Sequence, residues 1–269
     1  MRQWRLIYDH PLPGAANMAI DEALLEAVGA GTSPPTLRFY GWDPACLSLG
    51  YGQFSRDADL DRLAAFGWDC VRRPTGGRAI LHADELTYSL ALTADHPLAA
   101  GDVVVSYQRI SQALLVGLEW LGAQAHSDLQ TEKQTSGPIC FEVPSHYEIT
   151  VNGRKLIGSA QVRRHQGVLQ HGSLPLHGDL GRIADALAFA DDTGREAARA
   201  AVRARAITLF EALGGKVVEW SAAAAAMQQG FSNLFDVELV PGGLTDSEQS
   251  RANELYGSRY ANPEWVARR

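Results

Sequence analysis

Cysteine is scarce in this sequence: three in 269 residues, at Cys46, Cys70 and Cys140, with no paired spacing. That excludes a disulfide framework and a cysteine-based zinc site, and it fits a reducing compartment. The eight histidines form no His-Glu-x-x-His pattern, so no metal is expected. Basic residues are in deficit, 24 Lys and Arg against 31 Asp and Glu for a formal net charge of −7, whereas a general nucleic-acid binder needs the opposite balance. No apolar run is long enough to cross a bilayer, and the start of the chain lacks the apolar stretch of a secretion signal; the expected location is the cytoplasm, with no membrane partner. A Walker loop, a Rossmann glycine fingerprint and a Gly-x-Ser-x-Gly elbow are also missing. Asp84 and Glu85 are adjacent, so they point to opposite faces of a strand and make no glycosidase pair. No repeat or linker divides the chain, and residues 1–269 read as one domain.

What is present is ample core material, 46% hydrophobic residues, in mixed α and β patterning. Trp4 to Tyr8 alternates as a strand ended by Pro11 and Pro13, and Asn17 to Val28 has helical spacing at Ile20, Leu24 and Ala27, stopping at Gly29 and Gly31. Thr36 to Tyr40 and Ala45 to Tyr51 read as strands joined by a turn at Gly41-Trp42-Asp43-Pro44; a helix from Asp57 to Phe66 closes at Gly67, before a strand Trp68 to Arg72. Leu86, Tyr88, Leu90 and Leu92 keep period two, predicting a half-buried strand with Thr87, Ser89 and Ala91 on its other face. Val105 to Leu121 reads as a long helix ending at Gly122, and the polar stretch Ser127 to Gly137 as a loop, either a lid or a surface connection. Tyr147, Ile149 and Val151, the turn pair Asn152-Gly153 and the return through Gln161 predict a hairpin. Val168 to Leu174 is a further strand with His171 and Ser173 on one face. Asp179 to Leu213 reads as largely helical, Lys216 to Glu219 as a short strand and Ser221 to Met227 as a helix, while Thr245 to Glu248 is a capping box opening a last helix through Tyr256. The fold class expected is α+β: mixed, largely antiparallel β-sheets flanked by helices, with a helical C-terminal portion on a β-rich body.

Two stretches carry chemistry. Cys140 stands alone in Ile139-Cys140-Phe141-Glu142-Val143-Pro144, and the predicted hairpin brings Lys155 within reach of it. An ammonium beside a thiol favours the thiolate, lowering a pKa normally about 8.5 and making a nucleophile near neutral pH. A cysteine between Ile and Phe equally matches a small buried hydrophobe, and composition leaves both readings open. The second stretch is Arg72-Arg73-Pro74-Thr75-Gly76-Gly77-Arg78. Its glycine pair is either a plain turn or a cradle offering backbone N–H groups, with three arginines to meet an anion.

Several separated segments, taken together, resemble the biotin/lipoate protein ligase superfamily and its lipoate–protein ligase and octanoyltransferase branch: Asn17 to Glu22, Arg72 to His82, Glu85 to Ser89, Gly153 to Gln161 and Gln170 to Ser173. The Gly-Gly, Lys-x-x-Gly-Ser and Gln-His-Gly-Ser elements are the most specific. Cys140-Phe141-Glu142-x-Pro144-Ser145 followed by Lys155 is similar to the octanoyltransferases of the LipM type, which use a cysteine thioester and no ATP. The resemblance implies a ligase-like catalytic domain that needs no cofactor. It would move an octanoyl group from octanoyl-acyl carrier protein to a lysine of a lipoyl domain, such as glycine cleavage H protein.

By the same resemblance Cys140 is the nucleophile and Lys155 lowers its pKa, with backbone N–H groups of Gly158, Ser159 and Ala160 as oxyanion donors. Arg73, Thr75, Gly76, Gly77, Arg78, His82, Tyr88, His171, Gly172 and Ser173 would complete the substrate site, His82 and His171 being either proton carriers or structural. Burying eight carbons at about 0.8 kcal/mol each would supply most of the ground-state binding. Acidic partners call for a local basic surface, which Arg72, Arg73, Arg78, Arg154, Lys155, Arg163, Arg164 and His165 would form unless they are scattered. The rivals are an ATP-dependent lipoate–protein ligase, an amidotransferase acting between lipoyl domains and a non-catalytic lipoyl-domain binder.

Overall fold

The structure, a computed structural model, describes residues 2–128 and 148–268. Cys140 and its motif, Tyr147 and all but the start of the expected 127–137 loop lie outside the described residues.

Strand β1 (Arg2–Tyr8) leads through Pro11 and Pro13 into helix α1 (Gly14–Gly29). The helix begins earlier than its apolar spacing predicts because the Pro13 carbonyl already accepts from the Ala16 and Asn17 N–H groups. β2 (Thr36–Tyr40) and β3 (Cys46–Leu49) follow, then α2 (Leu60–Phe66), β4 (Asp69–Arg72), β5 (Ile80–His82), β6 (Glu85–Thr93), α3 (Val103–Leu121) and β7 (His126–Asp128). After the undescribed segment come β8 (Glu148–Val151), β9 (Arg154–Arg164), β10 (Gly167–Pro175), α4 (Asp192–Arg205), α5 (Leu209–Ala212), α6 (Trp220–Phe235), β11 (Val237–Pro241), α7 (Asp246–Leu255) and α8 (Pro263–Ala267).

Eight strands form one sheet in the order β11-β1-β2-β6-β10-β9-β8-β7, parallel across the first three and antiparallel thereafter. The other three form a small sheet, β4-β3-β5. The expected α+β class, with mixed and largely antiparallel sheets, holds. The Gly41-Trp42-Asp43-Pro44 turn does not fold β2 back on β3; it carries the chain from the large sheet to the small one. One face of the large sheet buries Leu86, Leu90 and Leu92 with Ile110, Leu114 and Leu118 of α3 and Phe231 of α6. On the other face α1 packs against β6 and β10 while also touching β3 and β4, so the functional cleft forms where the two sheets meet.

Some expectations change. β6 is buried on both faces through Leu92 rather than half-buried, because α1 and the cleft cover the side carrying Thr87, Ser89 and Ala91. Ser127, read as loop, pairs with Ile149 in β7. The stretch 179–213 breaks into a 3-10 turn, α4 and α5. Residues 216–219 are irregular, with Val217 exposed; the strand on this side is β11, unpredicted, which takes the edge of β1. The hairpin turn forms as expected, Asn152 and Gly153 both at positive φ (52° and 71°), the type I′ geometry that matches strand twist.

Candidate active site

The glycine pair is not a hairpin turn. β4 and β5 flank β3 on opposite sides, so residues 73–79 cross the end of β3. There Gly50 is packed so closely that a Cβ on it would lie 1.9 Å from the Gly77 carbonyl oxygen. The neighbouring arginines hold this loop from inside. Arg72 donates to the carbonyls of Gly50 (2.8 Å), Gln53 (2.6 Å) and Val266 (2.6 Å). Arg73 donates to those of Ser48 (2.9 Å), Gly76 (2.8 Å) and Arg78 (2.7 Å). Both are buried, which corrects the picture of three arginines offered to an anion: of the three, only Arg78 is partly exposed, and it lines the cleft.

A mainly apolar cavity of about 470 Å³ lies beside this loop, within the roughly 300–1,000 Å³ usual for small-molecule sites. Of the expected residues, Arg73, Gly76, Gly77, Arg78, His82, Gly158, Ser159, Ala160, His171, Gly172 and Ser173 line it. Thr75 and Tyr88 stand behind the wall instead. The Thr75 hydroxyl is 2.7 Å from His171 Nε2, and the Tyr88 hydroxyl donates to Ser159 Oγ (2.9 Å) and accepts from Gln170 (2.9 Å). Burial pushes the Tyr88 phenol up, so it stays protonated. Gly172 must be glycine for the same wall to close: a Cβ there would stand 2.3 Å from Ser159 Oγ and 2.7 Å from the Gly158 oxygen.

Sequence reasoning missed other lining residues, among them Met18, Tyr40, Trp42, Ser48 and Thr87, and the two carboxylates that organise the histidines. Glu85 Oε1 is 2.8 Å from His82 Nδ1 and accepts from Ser173 (2.9 Å) and Thr87 (2.5 Å). His82 Nε2 meets Ser48 Oγ at 2.7 Å, and the Trp42 ring stacks on the imidazole at 3.9 Å. Asp21 meets His171 Nδ1 at 3.2 Å and accepts from Arg38, Tyr40 and Ser89. Burial by itself would raise Asp21; the His171 hydrogen bond, the Arg38 charge and the Tyr40 hydroxyl outweigh it and hold the carboxyl below its ordinary value. Burial pushes His171 down, only partly offset by Asp21. All four ring nitrogens therefore face protein groups, and of the two readings of each histidine the geometry favours the structural one.

Lys155 is 3% exposed, its Nζ 2.5 Å from Glu148 Oε1. It lies directly behind the cavity wall: a Cβ on Gly158 would be 3.0 Å from Lys155 Cε and 3.5 Å from its Nζ. Cys46 and Cys70 are the wrong thiols for chemistry. Burial drives Cys46 well above its ordinary value and Cys70 up to about 12, which leaves them unionised near neutral pH.

The basic surface does not assemble. Arg72, Arg73 and Lys155 are buried, Arg154 pairs with Glu211, and Arg164 pairs with Glu22. Arg163 reaches the carbonyls of Gly101 and Asp102. The eight groups form no common surface because three are buried and most of the others are held by acidic side chains or carbonyls. A second cavity, about 260 Å³ and partly polar, shares Trp42 and Glu85 with the first site's surroundings.

Residues 13–232 match the family model of the lipoyl protein ligase A/B catalytic domain. The chain is 43% identical over 272 residues to a protein of Moorella thermoacetica named octanoyltransferase LipM, covering 99% of this chain and 98% of the relative. A Brevibacillus brevis protein of the same name is 40% identical over 277 residues, with 100% of both covered. Among solved structures, the bipartite lipoate protein ligase of Thermoplasma acidophilum shares the fold, with a TM-score of 0.83 at 23% identity over 99% of this chain and 97% of that one. A lipoate-protein ligase A bound with ATP superposes with a TM-score of 0.80 at 25% identity, covering 99% of each.

Proposed function

The chain belongs to the lipoyl protein ligase A/B catalytic domain family, and from that premise we propose that it is an octanoyltransferase acting through a thioester on Cys140. The donor is octanoyl-acyl carrier protein, and the acceptor is a lysine of a lipoyl domain such as glycine cleavage H protein, in the cytoplasm. One observation carries this reading: a cavity large enough for a medium acyl chain, with the Lys155 ammonium against the back of its Gly158 wall. Full-length relatives named octanoyltransferase support it, and so does the unreactive state of the two described thiols. Among the described residues no helix is long and apolar enough to cross a membrane.

The Cys140 thiolate attacks the thioester carbonyl; the carbon–sulfur bond to the carrier breaks, and the carrier thiol leaves with a proton. The neutral amine of the acceptor lysine then attacks the new thioester, forming the amide and returning the thiolate. Each step passes through an oxyanion. The backbone of Gly158 to Ala160, free of bulky side chains and beside a buried cation, is the surface offered to it. Apolar burial at about 0.8 kcal/mol per methylene holds the chain in place.

Intact mass spectrometry tests the proposal. Incubation with octanoyl-acyl carrier protein should add one octanoyl group to Cys140 without ATP, and Cys140→Ala should abolish both adduct and transfer. Acylation that requires ATP and survives Cys140→Ala would replace this reading with that of a lipoate–protein ligase.

A further inference from the structure

The glycine loop presents a cation to the cleft. Arg78 is half-buried, lines the main cavity, and has no hydrogen bond or ion pair to its guanidinium among the described residues. Its neighbours differ: Arg72 donates to the carbonyls of Gly50, Gln53 and Val266 and Arg73 to those of Ser48, Gly76 and Arg78, and Arg182 is paired with Asp84 at 2.6 Å. A guanidinium at a cavity wall with no partner among the described residues is conspicuous in a chain of formal net charge −7.

The backbone beside it is arranged to match. Arg73 draws the Gly76 carbonyl inward, and in a trans peptide the N–H of the next residue points the opposite way. The Gly77 N–H is therefore turned away from Arg73. Gly77 sits at φ +95°, and a Cβ built on Gly76 would meet nothing within 4 Å. Both glycines are exposed, so a ligand can approach this backbone without steric hindrance. A free backbone N–H next to a forked guanidinium is a recognition element for a tetrahedral oxyanion, above all a phosphate ester.

We propose that Gly76, Gly77 and Arg78 form a phosphate subsite that takes the phosphodiester of the donor's phosphopantetheine arm while the acyl chain fills the cavity. This rests on the transferase reading and specifies what the donor must carry: a thioester whose arm bears a phosphate. A nucleotide phosphate offers the same chemistry, and the experiment separates the two.

Phosphopantetheine, pantetheine and ATP are titrated calorimetrically into the wild-type protein, Arg78→Ala and Arg78→Lys, with thermal melts to confirm folding. In the wild type phosphopantetheine should bind about tenfold more tightly than pantetheine, the scale of one charge-assisted contact. That ratio should fall to about one in Arg78→Ala and be partly kept in Arg78→Lys. Equal binding of the two arms by the wild type, or an undiminished ratio in Arg78→Ala, overturns the subsite. Preferential loss of ATP binding in Arg78→Ala overturns the donor assignment and gives the loop to a nucleotide. The octanoyl thioesters of both arms are then offered as substrates. The kcat/KM ratio should follow the binding ratio, and a wild type that binds selectively but is never acylated sinks the transferase reading while the phosphate subsite stands.

Discussion

His171 shows how single residues here are set by what surrounds them. With Nδ1 on Asp21 and Nε2 on Thr75, it is buried in the neutral form, its pKa below the ordinary value. The unfolded chain therefore binds the extra proton first as the pH falls, at about 6.5. Stability rises with pH wherever the unfolded state holds more protons, so this contribution is complete above that value and is lost as the pH drops below it toward the folded-state pKa. Chemical denaturation should show lower stability at pH 5.5 than at pH 7, and a smaller difference in His171→Gln. An identical loss in the variant would assign the slope to other groups. At this scale the glycines and the histidines were legible, since a Gly pair and a Gln-His-Gly-Ser run stand out from an apolar background. Asp21 and Glu85 were not, because a lone carboxylate in a helix or strand reads as a solvated charge until its partners are known. The partners of Asp21 lie 17 to 150 residues away.

Among the elements, α7 is fastened by two carboxylates: Glu26 of α1 accepts from its Arg251 (2.6 and 3.1 Å), and its own Glu248 ties it to β1. Glu248 closes the capping box with Thr245, receives both ends of the Arg5 guanidinium from β1 (2.6 and 2.7 Å) and accepts from Ser33 (2.7 Å). Burial would raise its pKa, but these partners hold it down at about 2. Its stabilising effect is present above the unfolded-state value, about 4.3, and fades as the pH falls toward 2. Glu248→Gln should cost about 2 kcal/mol at pH 7 and flatten the acid limb between pH 4.5 and 2. Unchanged urea midpoints at pH 7 would show that α7 docks by its apolar face and the Arg251–Glu26 pair without help from Glu248. The capping box itself was legible because its residues are local, as were the glycine ends of α2 and α3, both at left-handed φ. β11 escaped notice: mostly exposed and only five residues long, it is a strand because β1 offers it an edge, while Val217 and Val218 have the right side chains and no edge to join.

Taken as a whole, the molecule is two sheets with a helix common to both and a cleft at their junction. Trp42, on the connection between the sheets, closes one side of the main cavity and borders the second one, held by its stack on His82 and a 2.8 Å hydrogen bond to Thr87. Trp42→Ala should join the two spaces and move the preferred donor from eight carbons toward about ten to twelve. At about 0.8 kcal/mol per added methylene, two more should change the preference by roughly tenfold. Trp42→Phe, which keeps a ring on His82, should retain the shorter chain. Transfer rates measured across a series of acyl thioesters check this, and a uniform loss at every length would make Trp42 a support rather than a wall.

The sequence by itself determined the local periodicities, the caps and turns, the mixed α and β character and the short motifs that assign the family, because each depends on residues a few positions apart or on composition. The tertiary structure alone decided that the glycine loop crosses a strand end instead of turning a hairpin, that Arg72, Arg73 and Lys155 are buried while Arg78 is left for the cleft, and which carboxylates hold the histidines. Those outcomes depend on which strand edges meet and which side chains lose their water, and such pairings join segments far apart along the chain.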